Sequence, residues 1–488
     1  MPRGEQVNAP LRRLAVAVMV MFGLLLLNSN YLQVVRAEDL HNDPANPRLI
    51  LEEYSRERGP ILVGDQPIAS SVETDDRLKY RREYAQGPLY APATGFYSIV
   101  YGASGIEAEA NSILAGTDDS LFVRRVIDQL TGEQVKGGSV QLTLNARAQR
   151  AALRQLDGRK GAVVALDATT GAILAMVSSP SYDPNVLSSH ETRDVRAAYE
   201  RLNSDRNRPM LNRALRETYP PGSTFKLVTA AAALESGMRR DSRVNNAAQL
   251  DLPQTTSNLP NYDGQPCNPA GRATLEDALK RSCNAAFGQI GMDLGADVLR
   301  DQATKFGFDR RFEVPMTTAR SAFPEDPDAP QTAQSAIGQF DVRATPLQMA
   351  MVAAAIGNRG VVMKPHLVSV VRAPDLSVLD VTEPEEVGEA MSPQTADTLF
   401  DMMVTVVEEG TGSNARIEGV RVGGKTGTAQ QGSSRRPHAW FVSLAPVDAE
   451  KTVAVAVVLE DGGGAPEVSG NQLAAPIARA VTLAVLRR

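Results

Sequence analysis

A serine hydroxyl attacks a carbonyl carbon readily only when a neighbouring group takes its proton, and Pro220-Pro221-Gly222-Ser223-Thr224-Phe225-Lys226 supplies both parties. The prolines and the glycine end whatever precedes them, and the alanine-rich run from Leu227 to Leu234 is a strong helix former, which predicts Ser223 at a helix start. Residues three apart share a helix face, so the Lys226 amine is expected one turn from the Ser223 hydroxyl. Lysine acts as a base only when burial or a second cation lowers its pKa, and the apolar run supplies burial. Backbone N–H groups at a helix start also favour an oxyanion forming on a substrate there. Taken alone, the same residues favour an N-cap serine followed by a solvated lysine, so the catalytic reading needs support from elsewhere in the chain.

Two further pieces supply it. Thr274 to Lys280 reads as a helix capped by Thr274, and Ser282-Cys283-Asn284 follows. A hydroxyl and an amide two residues apart in a loop can point together into a cleft, although Asn284 also reads as a helix C-cap. Gly424-Lys425-Thr426-Gly427-Thr428 lies on a candidate strand from Val420 to Gln430, where glycines mark close approach by a ligand or another backbone. Gly419 to Thr426 also has the spacing of a phosphate-binding loop. That motif needs a glycine-rich turn opening a helix, whereas the intervening residues alternate as a strand and lead into Gly432-Ser433-Ser434.

The elements that must position these residues come from both ends of a domain. Gly161 to Leu166 and Ala172 to Val177 are apolar runs joined by Asp167-Ala168-Thr169-Thr170-Gly171, a hairpin signal. Further strands are expected at Val420 to Gln430, Trp440 to Leu444 and Val453 to Leu459, and a last helix at Leu473 to Leu486. Strands at both ends of a long helical middle predict one antiparallel sheet with helices on its faces, an α/β chain of the α+β type.

At 488 residues the chain predicts two or three domains. Its net charge is −6 and no basic stripe runs along it, which argues against a nucleic-acid partner. Arginine far outnumbers lysine, so Lys226 and Lys425 stand out. Two cysteines are too few for a disulfide scaffold or a structural zinc site. Arg3, Arg12 and Arg13 precede an apolar run from Leu14 to Leu27 that continues less purely to Val35. As a helix, Leu14 to Val35 would be ~33 Å long, enough to cross a bilayer with its positive flank inside. A cleaved signal peptide is the competing reading, but its candidate site Val35-Arg36-Ala37 lies well past the strongest apolar stretch. Residues 1–36 are therefore read as a short cytoplasmic tail and a single uncleaved transmembrane helix. Residues 37–150 read as a polar, non-catalytic spacer or docking module, in which Arg58-Gly59-Pro60-Ile61-Leu62 and Gly102-Ala103-Ser104-Gly105-Ile106-Glu107 are turn-rich pieces that read as loop punctuation. Residues 151–488 carry the chemistry, on the extracytoplasmic side of the cell membrane.

Ser223-Thr224-Phe225-Lys226, Ser282-Cys283-Asn284 and Lys425-Thr426-Gly427 stand in the order of the motif trio of penicillin-binding proteins and serine β-lactamases. Asn212-Arg213-Ala214, Gly338-Gln339, Thr345 to Ala350 and Trp440-Phe441 extend the likeness. With Arg58-Gly59 and Gly105-Ile106-Glu107, the chain resembles class B penicillin-binding proteins over nearly its whole length, their actinobacterial members most. The resemblance implies a transpeptidase domain with a five-stranded antiparallel sheet covered by helices and an all-helical subdomain, behind a dimerisation or pedestal-type module. It implies a peptidoglycan D,D-transpeptidase of division or shape that acts on D-alanyl-D-alanine stem peptides and is acylated by β-lactams. Its implied partners are a membrane-embedded glycan polymerase and division proteins, and it implies no cofactor and no metal. Ser223 would be the nucleophile, Lys226 its base and Ser282 the proton relay to the leaving D-alanine. Asn284 would hold the donor amide, and Lys425, Thr426, Gly427 and Thr428 would bind substrate at its terminal carboxylate. The N–H groups of Ser223 and Thr428 would form the oxyanion hole. A D,D-carboxypeptidase differs only in the acceptor, and a β-lactam-binding division scaffold would tolerate a degraded trio. A β-lactamase has no use for residues 37–150, and a β-lactam sensor needs a signalling domain for which the stretch before Leu14 is short.

Cys267 and Cys283 are the only cysteines. Outside the membrane they can oxidise, and closing a loop of about 15 residues is worth roughly 3 kcal/mol in the chain-entropy model. A bridge would pin the loop before Thr274 beside Ser282 and Asn284. The alternative is a buried Cys283 thiol and a free Cys267.

Overall fold

The computed structural model describes residues 5–32, 51, 53–122, 130–131, 134–432, 435–448, 451–465 and 467–486. Arg3, the site Val35-Arg36-Ala37 and Ser433-Ser434 lie outside them. The chain divides into two compact units, residues 1–56 with 73–80, and residues 57–72 with 81–488. In the first, Glu5–Asn30 is an unbroken helix. Its Leu11–Asn30 span has a mean hydropathy of 1.8 and is long enough to cross a membrane.

The second unit holds two large sheets. One runs in the order Val378–Val381, Val368–Arg372, Ser139–Leu142, Ile61–Val63, Gln66–Glu73, Tyr80–Tyr84. Two of its strands thus come from far along the sequence. Other short strands, Gln249–Asp251 with Asn258–Pro260 and Val361–Met363 with Glu386–Glu389, interrupt the middle of the chain that its sequence presents as helical. These strands are three to five residues long, too short to impose a period of two on the pattern. The loop-punctuation reading of Arg58-Gly59 and Gly105-Ile106-Glu107 is also corrected. Arg58 Nε donates to Glu107 Oε2 and Arg82 Nε to Glu107 Oε1, each at 2.6 Å, and Tyr84 OH donates to Oε1 at 3.2 Å. Glu107 is fully buried. Burial alone would raise its pKa, but the two guanidiniums outweigh it and hold the carboxyl below its ordinary value.

The other sheet is built from β1 (Gly161–Asp167), β2 (Ile173–Ser179), β3 (Gly423–Ala429), β4 (His438–Pro446) and β5 (Thr452–Leu459). Its order is β3-β4-β5-β1-β2, antiparallel throughout. The two ends of the domain meet where β5 pairs with β1, Val455 opposite Ala165. Every residue of β1 and β2 is buried because both faces are covered, which is why they read as unbroken apolar runs rather than alternating ones. On one face α1 (Ala146–Leu156) sits in a cluster with Val163, Ala165, Val455, Val457 and the C-terminal helix Ala475–Leu486. On the other, Ala162, Val164, Ala454 and Ala456 share a larger cluster with α2 (Lys226–Glu235), α3 (Leu275–Arg281), α4 (Asn284–Leu294) and α5 (Pro346–Gly357).

Candidate active site

Ser223 sits in a single 3-10 turn, Gly222–Phe225, that runs directly into α2. The segment before the turn is anchored at both ends. Gly222 N donates to Gly338 O at 2.9 Å, and Tyr219 exchanges backbone hydrogen bonds with Ala344. Arg213, fully buried, donates through Nε to Glu460 Oε1 at 2.8 Å, and Tyr219 OH donates to the same oxygen at 2.9 Å. Trp440 Nε1 on β4 donates to Pro220 O at 3.1 Å. The turn abuts β3 so closely that a Cβ on Gly222, at φ +54°, would stand 2.9 Å from Thr428 O. A Cβ on Gly427 would meet Trp440 Cβ at 2.9 Å and Thr224 Cγ2 at 3.0 Å. The glycine in the strand thus serves close backbone approach.

Thr274 caps α3 through a full capping box with Asp277. The helix then stops on Ser282, whose φ of 61° and ψ of 41° are left-handed. This costs a residue with a Cβ of order 1–3 kcal/mol and turns the chain so sharply that α4 begins two residues later at Asn284. Ser282 and Asn284 therefore converge on one point, with Asn284 opening a helix rather than capping one. Cys267 and Cys283 are bridged, with Cα atoms 5.7 Å apart, which fastens the loop before Thr274 between the two residues.

That point is the Lys226 amine. Lys226 Nζ donates to Ser282 O and to Asn284 Oδ1, both at 2.7 Å, and lies 3.4 Å from Ser282 Oγ. Lys425 Nζ, from β3, donates to Ser282 Oγ at 2.8 Å and to Thr426 O at 3.0 Å. Both lysines are fully buried. Burial, and then the charge of Lys425, push the Lys226 pKa well down. Burial lowers Lys425 to about 7. A neutral Lys226 amine has two N–H groups, both used by the Ser282 and Asn284 oxygens, and a lone pair left to accept a proton.

A cleft of about 470 Å³ opens over this cluster, lined by Ser223, Ser282, Asn284, Thr426 and Thr428 among others. Thr426 and Thr428 alternate onto it along β3, with Gln430 just past the strand's end, whereas Lys425 is buried out of it. Among the described residues, Ser223 Oγ has no hydrogen-bond partner and is free for a substrate. Thr411, which no local pattern marks, shares a 2.8 Å hydrogen bond with Thr426 Oγ1 and also lines the cleft. Its only sequence signal is the pair of glycines around it, Gly410 and Gly412.

The chain matches the penicillin binding protein transpeptidase domain over residues 161–483 and the penicillin binding protein A dimerisation domain over residues 58–140. It is 46% identical to a peptidoglycan D,D-transpeptidase, PbpA, of Mycolicibacterium smegmatis, across 98% of this chain and 99% of that protein. It is 44% identical to the PbpA of Mycobacterium tuberculosis, again across 98% and 99%. The structure resembles the ceftriaxone acyl-enzyme of penicillin-binding protein A from M. tuberculosis with a TM-score of 0.87 and 43% identity, covering 90% of this chain and all of that one. The penicillin G acyl-enzyme of the same protein aligns with a TM-score of 0.84 and 42% identity over 89% and 100%. With three motifs converging on one cleft and these relatives matching it from end to end, the chain belongs to the penicillin-binding protein transpeptidase family.

Proposed function

We infer that this chain is a serine D,D-transpeptidase of peptidoglycan that is acylated by β-lactams and acts in cell wall synthesis. The observation that carries the reading is the Ser282 hydroxyl, held between two fully buried lysines and lining the same cleft as Ser223. Ser223 Oγ attacks the carbonyl of the penultimate D-alanine, and the Lys226 lone pair takes its proton, a step worth typically ~10²–10⁴-fold. The proton passes by way of Ser282 Oγ to the nitrogen of the departing D-alanine. The N–H groups of Ser223 and Thr428 hold the oxyanion, where losing one donor costs other acyl-transfer enzymes ~10²–10³-fold. Asn284 orients the donor amide. Thr426 and Thr428 present their hydroxyls to the terminal carboxylate, and Lys425 lends its charge from behind them, with Gly427 keeping the strand against the Ser223 turn.

The acyl ester must then survive until an amine arrives, so water is kept from it. Full-length protein in detergent, mixed with penicillin and followed by intact mass, is expected to hold one acyl adduct for many minutes. It is also expected to transfer a donor acyl group to an added amine. Turnover of penicillin at many cycles per second would make it a β-lactamase, and hydrolysis without aminolysis a D,D-carboxypeptidase.

The Leu11–Asn30 helix fits a single-pass anchor with the catalytic domain extracytoplasmic, and its apolar surface suits a membrane-embedded glycan polymerase working with division proteins. Outside the membrane the Cys267–Cys283 bridge tunes the site. Reduction and alkylation are expected to slow penicillin acylation severalfold while shifting Tm by only a few degrees, because Ser282 and Asn284 lose their tether while α3 keeps its capping box. Two alkylated cysteines in unreduced, freshly purified protein would remove the bridge from this account.

A further inference from the structure

Beside the catalytic cleft lies a second groove of about 950 Å³, walled by Tyr219 and Pro220, which lead into the turn holding Ser223. The two cavities share Gln339 and Gln430, so the groove opens onto the cleft at the nucleophile's end. Their linings differ in charge. Among the described residues, Arg281 is the one charged side chain lining the cleft, whereas the groove carries five cations against three carboxylates. Those carboxylates are already engaged. Glu460 is bonded to Arg213 and to Lys160 at 3.1 Å, Glu217 pairs with Arg208 at 3.1 Å, and Asp461 accepts from Gln431 Nε2 at 2.9 Å. Arg436 meets backbone carbonyls instead, donating to Gly464 O at 2.7 Å and Ala465 O at 3.0 Å. Arg343 comes no nearer than 3.8 Å to the Asp341 carboxylate. Among the described residues, Arg343, Arg435 and Arg436 thus line the groove without a close carboxylate, and a planar fork of N–H donors is suited to a carboxylate ligand.

We propose that this groove seats the acceptor of the cross-linking reaction, an anionic peptide whose carboxylate pairs with Arg343 and Arg436. Its free amine reaches the ester on Ser223 past Gln339 and Gln430. The amine nitrogen attacks the acyl carbonyl carbon, the new C–N bond forms, the bond from that carbon to Ser223 Oγ breaks, and the amine proton returns to Oγ through Lys226. The proposal rests on the transpeptidase reading and extends it to the second substrate. It also explains the division of charge, since the donor's terminal carboxylate is met by the β3 threonines whereas the acceptor meets a cationic wall.

The test uses full-length protein in detergent, a D-alanyl thioester as donor, and a synthetic acceptor peptide with one free amine, prepared with a C-terminal carboxylate or with a carboxamide. The double variant Arg343→Gln, Arg436→Gln is expected to raise the carboxylate acceptor concentration needed for half-maximal aminolysis about tenfold, the loss expected for a charge-assisted hydrogen bond. Penicillin acylation should keep its wild-type rate, and the carboxamide acceptor should barely distinguish the variant from wild type. If the double variant no longer labels with penicillin, Arg435→Glu, at an exposed groove position, is read in its place with the same expectation. Unchanged acceptor dependence, or equal losses with carboxylate and carboxamide, would overturn the groove assignment while leaving the transpeptidase intact. A wild-type protein that never labels with penicillin would overturn the transpeptidase reading and this proposal with it.

Discussion

Ser223→Ala is expected to abolish covalent labelling by a reporter penicillin while leaving the fold intact. The change removes one oxygen, and that oxygen is unbonded among the described residues. The backbone hydrogen bonds, the Arg213–Glu460 pair and the Trp440 bond that set the turn all persist. The stability cost should stay below the ~1 kcal/mol typical of losing a helix cap. Gel fluorescence with a thermal melt on the same preparation reads both effects. A folded variant that still labels would remove Ser223 as the nucleophile and return the Ser282 hydroxyl as the next candidate.

The second large effect concerns the base. Lys226→Gln retains N–H donors for Ser282 O and Asn284 Oδ1 but has no basic nitrogen to accept a proton, so penicillin acylation is expected to slow by ~10²–10⁴-fold. The pH dependence gives the sign. Only neutral Lys226 accepts a proton, so the wild-type rate should rise with pH through the depressed Lys226 pKa and level off above it. Lys425, which titrates at about 7, is charged below that pH, and its charge is one of the two forces holding Lys226 down. Lys425→Met removes that repulsion, so Lys226 should keep its proton to higher pH and the rising limb should move in the alkaline direction. Stopped-flow acylation from pH 5 to 10 decides it. A Lys226→Gln rate within tenfold of wild type, or a limb that Lys425→Met leaves in place, would assign the base elsewhere.

Much of this site was legible in local sequence because it rests on local physics. Pro220-Pro221-Gly222 ahead of an alanine-rich run marks the Ser223 turn, Thr274 with Asp277 marks the start of α3, and the hairpin signal at Asp167 to Gly171 marks β1 and β2. Each depends on residues within a few positions of one another, where propensity and capping act. The antiparallel sheet assembled from both ends of the domain follows from the same apolar runs. The tertiary structure alone decided the rest. Ser282 adopts a left-handed conformation that glycine or asparagine would have announced and serine does not. Lys425 is fully buried against a serine 143 positions earlier, so the threonines and not the lysine face the cleft. Arg213 holds the nucleophile's segment through a carboxylate 247 positions away. Strands at 368–381 complete a sheet begun at residue 61. Such contacts leave no periodicity and no cap in the chain, because their free energy comes from desolvating and pairing groups that meet only after the backbone has folded.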